Sequence, residues 1–358
     1  MESAQPYGCL MKQDIESQAE TLIAVYESFS SQVNSFTQLQ KEAWAREGWI
    51  FTGCGTTYAL ALTSASLFQK LGMTAAALPA SEVAFYPECL PQGGSMLLAF
   101  SRSGETSETL WAVDAFRKQR AKGKIFTVTA SPESALAQKA DFVLNAAPAR
   151  DRSTVETKSF SGMLYLLQVF SAWVSGNGER LDRLKNIPPK MKRLLSETRP
   201  AAEHVGKNPE ISRFFFLGSA ENYGLACQAA FTMKECSAEW SEAFHPLEFR
   251  HGPRTAATGK AFVGLFLTDD RRAIEQELRV IREMKDQGAQ TLVLGDRLEG
   301  SDFPSLEGVN YLDLGSGLAL ADRLTLYLPF VQWLAYARAL SAGKDPDHPA
   351  NLRAVTRL

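Results

Sequence analysis

Short apolar runs alternate along this chain with turn-forming clusters and longer stretches of helical spacing. Runs at 49–52, 75–78, 96–100, 124–129 and 141–144 in the first half read as strands, as do 214–217, 261–267, 291–294 and 311–313 in the second. Helical stretches lie between them at 58–71, 107–117 and 131–139, then at 223–236 and 272–287, with a short helical start at 81–83. Strand–helix alternation of this kind predicts parallel strands with right-handed crossovers. The expected fold class is therefore α/β, with two tandem doubly wound parallel-sheet domains and flanking helices, an internal duplication of one unit.

Around these units, residues 11–46 place Ile15, Leu22, Ile23, Val25 and Phe29 at helical spacing, predicting one or two helices over the first domain. Residues 158–174 predict a long buried helix. The charged stretch 184–204, punctuated by Pro188, Pro189 and Pro200, reads as a partly helical connector. The expected organisation is a loose leader and helices over 1–46, a first domain over 47–183, a connector over 184–208, a second domain over 209–343 and a tail over 344–358.

Composition narrows the partners. The 358 residues carry 38 Lys+Arg against 40 Asp+Glu and show no basic stripe, so nucleic acid is not expected. Five scattered cysteines with no C-x-x-C pair argue for a reducing compartment and against zinc or a disulfide framework. The N-terminus lacks a basic segment followed by an apolar run, so no signal peptide is expected. The most apolar stretch, 324–340, is interrupted by Gln332 and Arg338, so no membrane span is expected either. Together these predict a soluble cytoplasmic protein.

Two turns draw attention as candidate chemistry. Ser101-Arg102-Ser103-Gly104-Glu105-Thr106 joins an apolar run to an amphipathic helix, and its hydroxyls and backbone N–H groups suit an anion at a helix N-terminus. Ordinary capping accounts equally well for that turn alone. A second turn, Gly53-Cys54-Gly55-Thr56-Thr57, follows another strand-like run, and both would lie at the carboxyl edge of one parallel sheet, where open α/β sheets bind ligands. Two turns together favour the anion.

The CGTT and SRSGETSET turns, with Glu-Thr-Lys-Ser-Phe at 156–160, resemble the sugar isomerase (SIS) domain family, whose units are flavodoxin-like. More narrowly, the chain from about Met11 onward resembles the isomerase half of glucosamine-6-phosphate synthase and the stand-alone phosphosugar isomerases, deaminases and fructosamine-6-phosphate deglycases. The resemblance implies that Thr57, Ser101, Ser103 and Thr106 hold a sugar phosphate, with Gly55, Thr56 and Arg102 beside them and Thr157, Lys158 and Arg353 at the substrate. It further implies that Glu235 is the proton-transfer carboxylate and His251, followed by Gly252-Pro253, the ring-opening histidine. The family donates that histidine from the neighbouring subunit, which implies an obligate homodimer. No cofactor is implied. Taken alone, Glu235 would be a solvated helix residue by roughly four to one and His251 a loop histidine, although an acid near a helix C-terminus does not serve its helix.

Three departures from that pattern shape the functional expectation. Thr232 stands where the synthase has a lysine, and the tail 345–356 lacks its expected lysine, with Arg353 or Arg357 nearby. An Arg keeps the charge but is no proton carrier or Schiff-base amine. A glutamine-hydrolysing domain is not expected, since Cys9 sits in a featureless leader. In the second half Thr268-Asp269-Asp270 would repel a phosphate, so one phosphate pocket per chain is expected. The expected function is that of a deglycase or deaminase on a 6-phosphorylated ketosamine or amino sugar, by 1,2-proton transfer and imine hydrolysis. The alternatives are an aldose–ketose phosphosugar isomerase and a non-catalytic sugar-phosphate-binding regulator, the latter disfavoured because Glu235 and His251 are both present and no helix-turn-helix is attached.

Overall fold

The computed structural model describes residues 6–34, 36–296 and 307–357. Two compact units divide it: one of Ser17–Asp151, Glu156–Pro188 and Arg353–Leu358, the other of Met1–Glu16, Arg152–Val155 and Pro189–Leu352.

In the first of these units, β1 (Gly48–Gly53), β2 (Ala75–Pro79), β3 (Gly94–Phe100), β4 (Lys124–Thr129) and β5 (Phe142–Asn145) form a parallel sheet in the order β2-β1-β3-β4-β5. Every residue of β1 is buried, which is why it reads as an unbroken apolar run. Alternate residues serve different faces. Trp49 and Phe51 pack with Phe68, and Trp49 also with Phe126 and Phe170, while Ile50 joins Leu97, Ile125, Val113 and Phe116. The helix Lys158–Val174 is buried over nearly its whole length, as its sequence predicts.

The N-terminal region holds three helices, Cys9–Glu16, Gln18–Val33 and Gln38–Arg46, where periodicity predicts one or two. Thr37 and Gln40 start the third with a reciprocal capping box. Of the expected leader, residues 1–5 lie outside the described residues, and helix begins at Cys9. Its start depends on acceptors far along the chain: Asp345 accepts the Gly8 N–H at 3.0 Å, and Asp347 accepts those of Leu10 and Met11 at 2.8 and 2.7 Å.

The other unit repeats the topology. Its strands β6 (Arg213–Gly218), β7 (Trp240–Phe244), β8 (Ala261–Phe266), β9 (Gln290–Gly295) and β10 (Tyr311–Asp313) are parallel in the order β10-β9-β8-β6-β7. Taken from the opposite edge, β7-β6-β8-β9-β10 matches the first sheet strand for strand. The connector is helical almost throughout, as Ile187–Glu197 and Arg199–Gly206, after the helix Gly178–Leu184. Its prolines fall in first turns, where no intrahelical N–H is needed, so they begin helices and do not break them.

The apolar C-terminal stretch forms the buried helix Leu328–Ser341. Its interrupting Arg338 bonds Glu239 at 2.9 and 2.7 Å and the carbonyls of Asn208 and Ile211 at 2.9 and 2.7 Å. Among the described residues no helix is long and apolar enough to cross a membrane, and all five cysteines are free.

Candidate active site

The two hydroxyl-rich turns follow β1 and β3, which are neighbours in the first sheet. Gly55 precedes the helix Thr56–Lys70, and the Thr57 hydroxyl folds back on its own turn, accepting from the Cys54 N–H at 2.9 Å and donating to the Cys54 carbonyl at 2.8 Å. Thr57 thus braces the turn. Across from it the buried Ser101 accepts the Gly104 N–H at 3.0 Å, and Ser103 accepts that of Glu105 at 3.2 Å. Each serine keeps its own O–H proton for an anion. Thr106 is the N-cap of Ser107–Gln119, yet its side chain makes no capping bond. Gly104 (φ +67°) lies so close to Ser134 that any side chain would collide with it. The Glu105 carboxylate accepts the Ala135 N–H at 2.9 Å and pairs with Arg357 at 3.2 Å.

Arg102 does not add free charge to this cradle. Its guanidinium lies 3.5 Å from Asp151 and 3.6 Å from Glu156 and donates to the Ala354 carbonyl at 3.0 Å. Asp151 caps the helix Lys158–Val174, taking the N–H groups of Thr157 and Ser159 at 3.2 and 3.1 Å and the Thr157 hydroxyl at 3.1 Å. Thr157 is therefore fully buried and engaged, while Lys158 opens the helix half-buried. Glu156 is buried beside them. Burial pushes its carboxyl up from the ordinary range; Arg102 opposes that shift, Asp151 adds to it, and a hydrogen bond with Thr56 opposes it. Its Oε2 has no protein partner among the described residues. In the tail, the exposed Arg353 stands apart from these pairs, whereas Ala354, Thr356 and Arg357 lie on the 102–107 turn, Thr356 accepting the Ser107 N–H at 3.5 Å.

The matching edge of the second sheet is filled from within. Following β8, Asp269 pairs with Arg323, receiving its Nη1 at 2.7 Å, and accepts the Leu320 N–H at 2.7 Å. Arg323 is 1% exposed and also lies 3.9 Å from Asp296. Asp270 caps the helix Arg271–Asp286 through the Arg272 N–H at 3.0 Å. Both carboxylates of the expected phosphate-repelling turn are thus in structural use.

Glu235 is half-buried in the last turn of Glu221–Ser237. That helix ends on Ala238 in the left-handed conformation, and the Lys344 ammonium donates to the Ser237 carbonyl, placing a cation at its negative end. A cavity of about 410 Å³ is lined by Lys234, Glu235, Lys344, Asp345, His348 and tail residues up to Leu352. Thr232 is fully buried and accepts a hydrogen bond from Gln228 at 2.9 Å, a position built for a small hydroxyl and not a lysine.

His251 does not line that cavity. It is exposed on the turn after Pro246–Phe249, its N–H bonded to the Glu248 carbonyl at 3.0 Å. Arg250 (3.1 and 3.0 Å) and Arg254 (3.1 Å) both clamp Glu283, so the turn is held while the imidazole faces outward. Sequence reasoning missed Asp345, His348, Asp151 and Glu156. The last lies inside a quoted motif; the first two stand in a Asp-Pro-Asp-His-Pro run whose meaning depends on contacts with residues 8–11. Among the described residues no group of three His, Cys, Asp or Glu side chains could hold a metal ion. A larger cavity, about 610 Å³, opens at the amino ends of β1, β3 and β4 beside Trp44, Glu47, Arg120 and Lys124, the edge away from the one where open sheets bind ligands.

Comparison with known proteins bears on family and fold. The family model of the SIS domain matches residues 46–172. A crystal structure of glucosamine-6-phosphate deaminase from Thermotoga maritima is 30% identical, with 97% of this chain and 99% of that one covered at a TM-score of 0.76. Glutamine–fructose-6-phosphate aminotransferase (isomerizing) from Pyrobaculum aerophilum is 29% identical over 309 residues, 84% of this chain and 50% of the relative. The chain spans about half the length of the curated relatives it matches. The tagatose-6-phosphate ketose/aldose isomerase of Escherichia coli shares the fold at a TM-score of 0.78 and 20% identity, over 96% of this chain and 97% of that one.

Proposed function

The chain belongs to the SIS domain family, and from that premise we propose that it is a deglycase or deaminase acting on a 6-phosphorylated ketosamine or amino sugar. The turn at 55–57 and the hydroxyls of Ser101, Ser103 and Thr106 take the 6-phosphate through neutral donors and a helix N-terminus. In the ketosamine case Glu235 removes a proton from carbon 1, the C–H electrons form the 1,2 double bond, and the carbon 2 oxygen takes a proton from solvent. Glu235 then returns its proton to carbon 2, leaving a protonated imine at carbon 1. Water adds to that imine, the amine departs, and a hexose 6-phosphate remains.

The observation that carries this reading is Glu235, half-buried and lining a cavity at a helix C-terminus, where its charge opposes the helix dipole. Near-full-length similarity to a glucosamine-6-phosphate deaminase supports the nitrogen-releasing branch. His251, outward-facing and absent from Glu235's cavity, suits ring opening donated from a second copy in a homodimer. The test is product analysis on 1-amino-1-deoxyfructose 6-phosphate and glucosamine 6-phosphate. Free amine with hexose 6-phosphate is expected from the wild type, and a loss of about 100-fold or more in Glu235→Gln. A ketose–aldose exchange without nitrogen release would assign it to the isomerases instead, and an unaffected Glu235→Gln would remove the proposal.

A further inference from the structure

Moving a proton between two carbons needs one carboxylate, but releasing an amine needs more. Once Glu235 has returned its proton to carbon 2 it is an anion. It has nothing to give the departing nitrogen. An acid–base group with both forms populated near neutral pH is wanted at the same place.

The cavity that Glu235 lines contains an imidazole. His348 is there, its Nδ1 3.1 Å from Asp345 Oδ2. Asp345 is itself fixed, its Oδ1 accepting the Gly8 N–H at 3.0 Å and the Asp347 N–H at 3.1 Å. Asp347 is pinned to the N–H groups of Leu10 and Met11, and Pro346 and Pro349 restrict the backbone on both sides. Burial acts to raise the Asp345 carboxyl, yet the hydrogen bonds from His348, Gly8 and Asp347 outweigh it and hold the group below its ordinary range. A fixed anion at Nδ1 keeps the proton on that nitrogen and leaves Nε2 as the basic one. The imidazole side chain is 74% exposed, so water reaches it.

We infer that His348, oriented by Asp345, is the acid–base group for the hydrolytic half of the reaction. Nε2 takes a proton from water as its oxygen bonds to the imine carbon and the C=N π electrons pass to nitrogen. The imidazolium then gives that proton to the nitrogen as the C–N bond breaks. The new hydroxyl gives its proton to solvent, balancing the one the carbon 2 oxygen took, and becomes the carbonyl. Water is consumed, an amine is released, and His348 ends unchanged. The inference rests on the deglycase reading above and adds a residue and a step to it.

The experiment separates the two half-reactions. Wild type, His348→Gln, His348→Ala and Asp345→Asn are incubated with 1-amino-1-deoxyfructose 6-phosphate in D2O. Deuterium at carbons 1 and 2 and free ammonia are followed together, and thermal melts establish folding. His348→Gln is expected to exchange deuterium within about twofold of wild type while ammonia release falls about 100-fold. Added imidazole restores part of the release in His348→Ala, and Asp345→Asn shifts the pH profile of release alone. Ammonia release by His348→Gln at the wild-type rate, or an equal loss of exchange and release, overturns the assignment while leaving the deglycase reading standing. A wild type that neither exchanges nor releases removes both.

Discussion

Ala220 holds the backbone conformation of Gly55. The two residues precede equivalent helices in the duplicated units, and their dihedrals are φ 52°, ψ −126° and φ 55°, ψ −122°. This region suits glycine, because a Cβ crowds the neighbouring peptide groups. Ala220 carries that strain, so Ala220→Gly should stabilise its unit by about 1 kcal/mol, a rise of about 2–4 °C in Tm. Gly55→Ala should cost a similar amount even though open space surrounds the new methyl, since the penalty is in the backbone. Calorimetry on the two variants checks both signs, and a fall in Tm for Ala220→Gly would contradict the argument.

Glu156 makes stability depend on pH. Its folded carboxyl is raised by burial, so between the unfolded and folded values the native state holds the extra proton. Its contribution is fully present below the unfolded value and is lost as pH rises through the folded one. The slope from this one group is at most about 1.4 kcal/mol per pH unit. Glu156→Gln keeps a neutral partner for Thr56 and should flatten urea-melt stability against pH upward from about pH 4.5; an unchanged slope would remove the assignment.

Phosphate binding should fall on the neutral hydroxyls. Ser103→Ala removes one donor at a half-buried turn and should weaken phosphosugar binding about tenfold. Ser101→Ala also frees the Gly104 N–H and should cost more, with a lower Tm. Titration calorimetry against a hexose 6-phosphate measures both. Equal affinity in Ser103→Ala would place the anion elsewhere.

The homodimer assignment for His251 predicts complementation. Glu235→Gln and His251→Gln, each inactive alone, should regain up to about a quarter of wild-type activity when refolded as a mixture, because in randomly paired chains one site in four receives both intact groups. Activity in His251→Gln alone, or none in the mixture, would count against donation from a second copy.

Most of the sheet framework was legible because β1, β3, β4, β6 and β8 are buried on both faces and spell apolar runs. Strand β7 was not, since its sequence Trp-Ser-Glu-Ala-Phe mixes an exposed Trp240 with a half-buried Glu242. The connector's prolines looked like breaks because first-turn tolerance is invisible until helix starts are known. The two hydroxyl-rich turns were legible from composition, but the pairing of Arg102 with Asp151 and Glu156 was not. His348 was missed for a different reason. Its proposed role depends on Asp345, and Asp345 is fixed in part by a backbone group 337 residues away.

That long-range staple bears on how the chain is made. The unit holding Cys9–Glu16 draws the rest of its substance from Arg152–Val155 and Pro189–Leu352, and Asp345 and Asp347 secure the first turn of that helix. A ribosome delivers Asp345 337 residues after Gly8, well after Ser17–Pro188 has emerged with a complete sheet of its own. The helix Cys9–Glu16 must therefore wait, undocked, for acceptors that emerge far later, and chaperones have access to it throughout that interval.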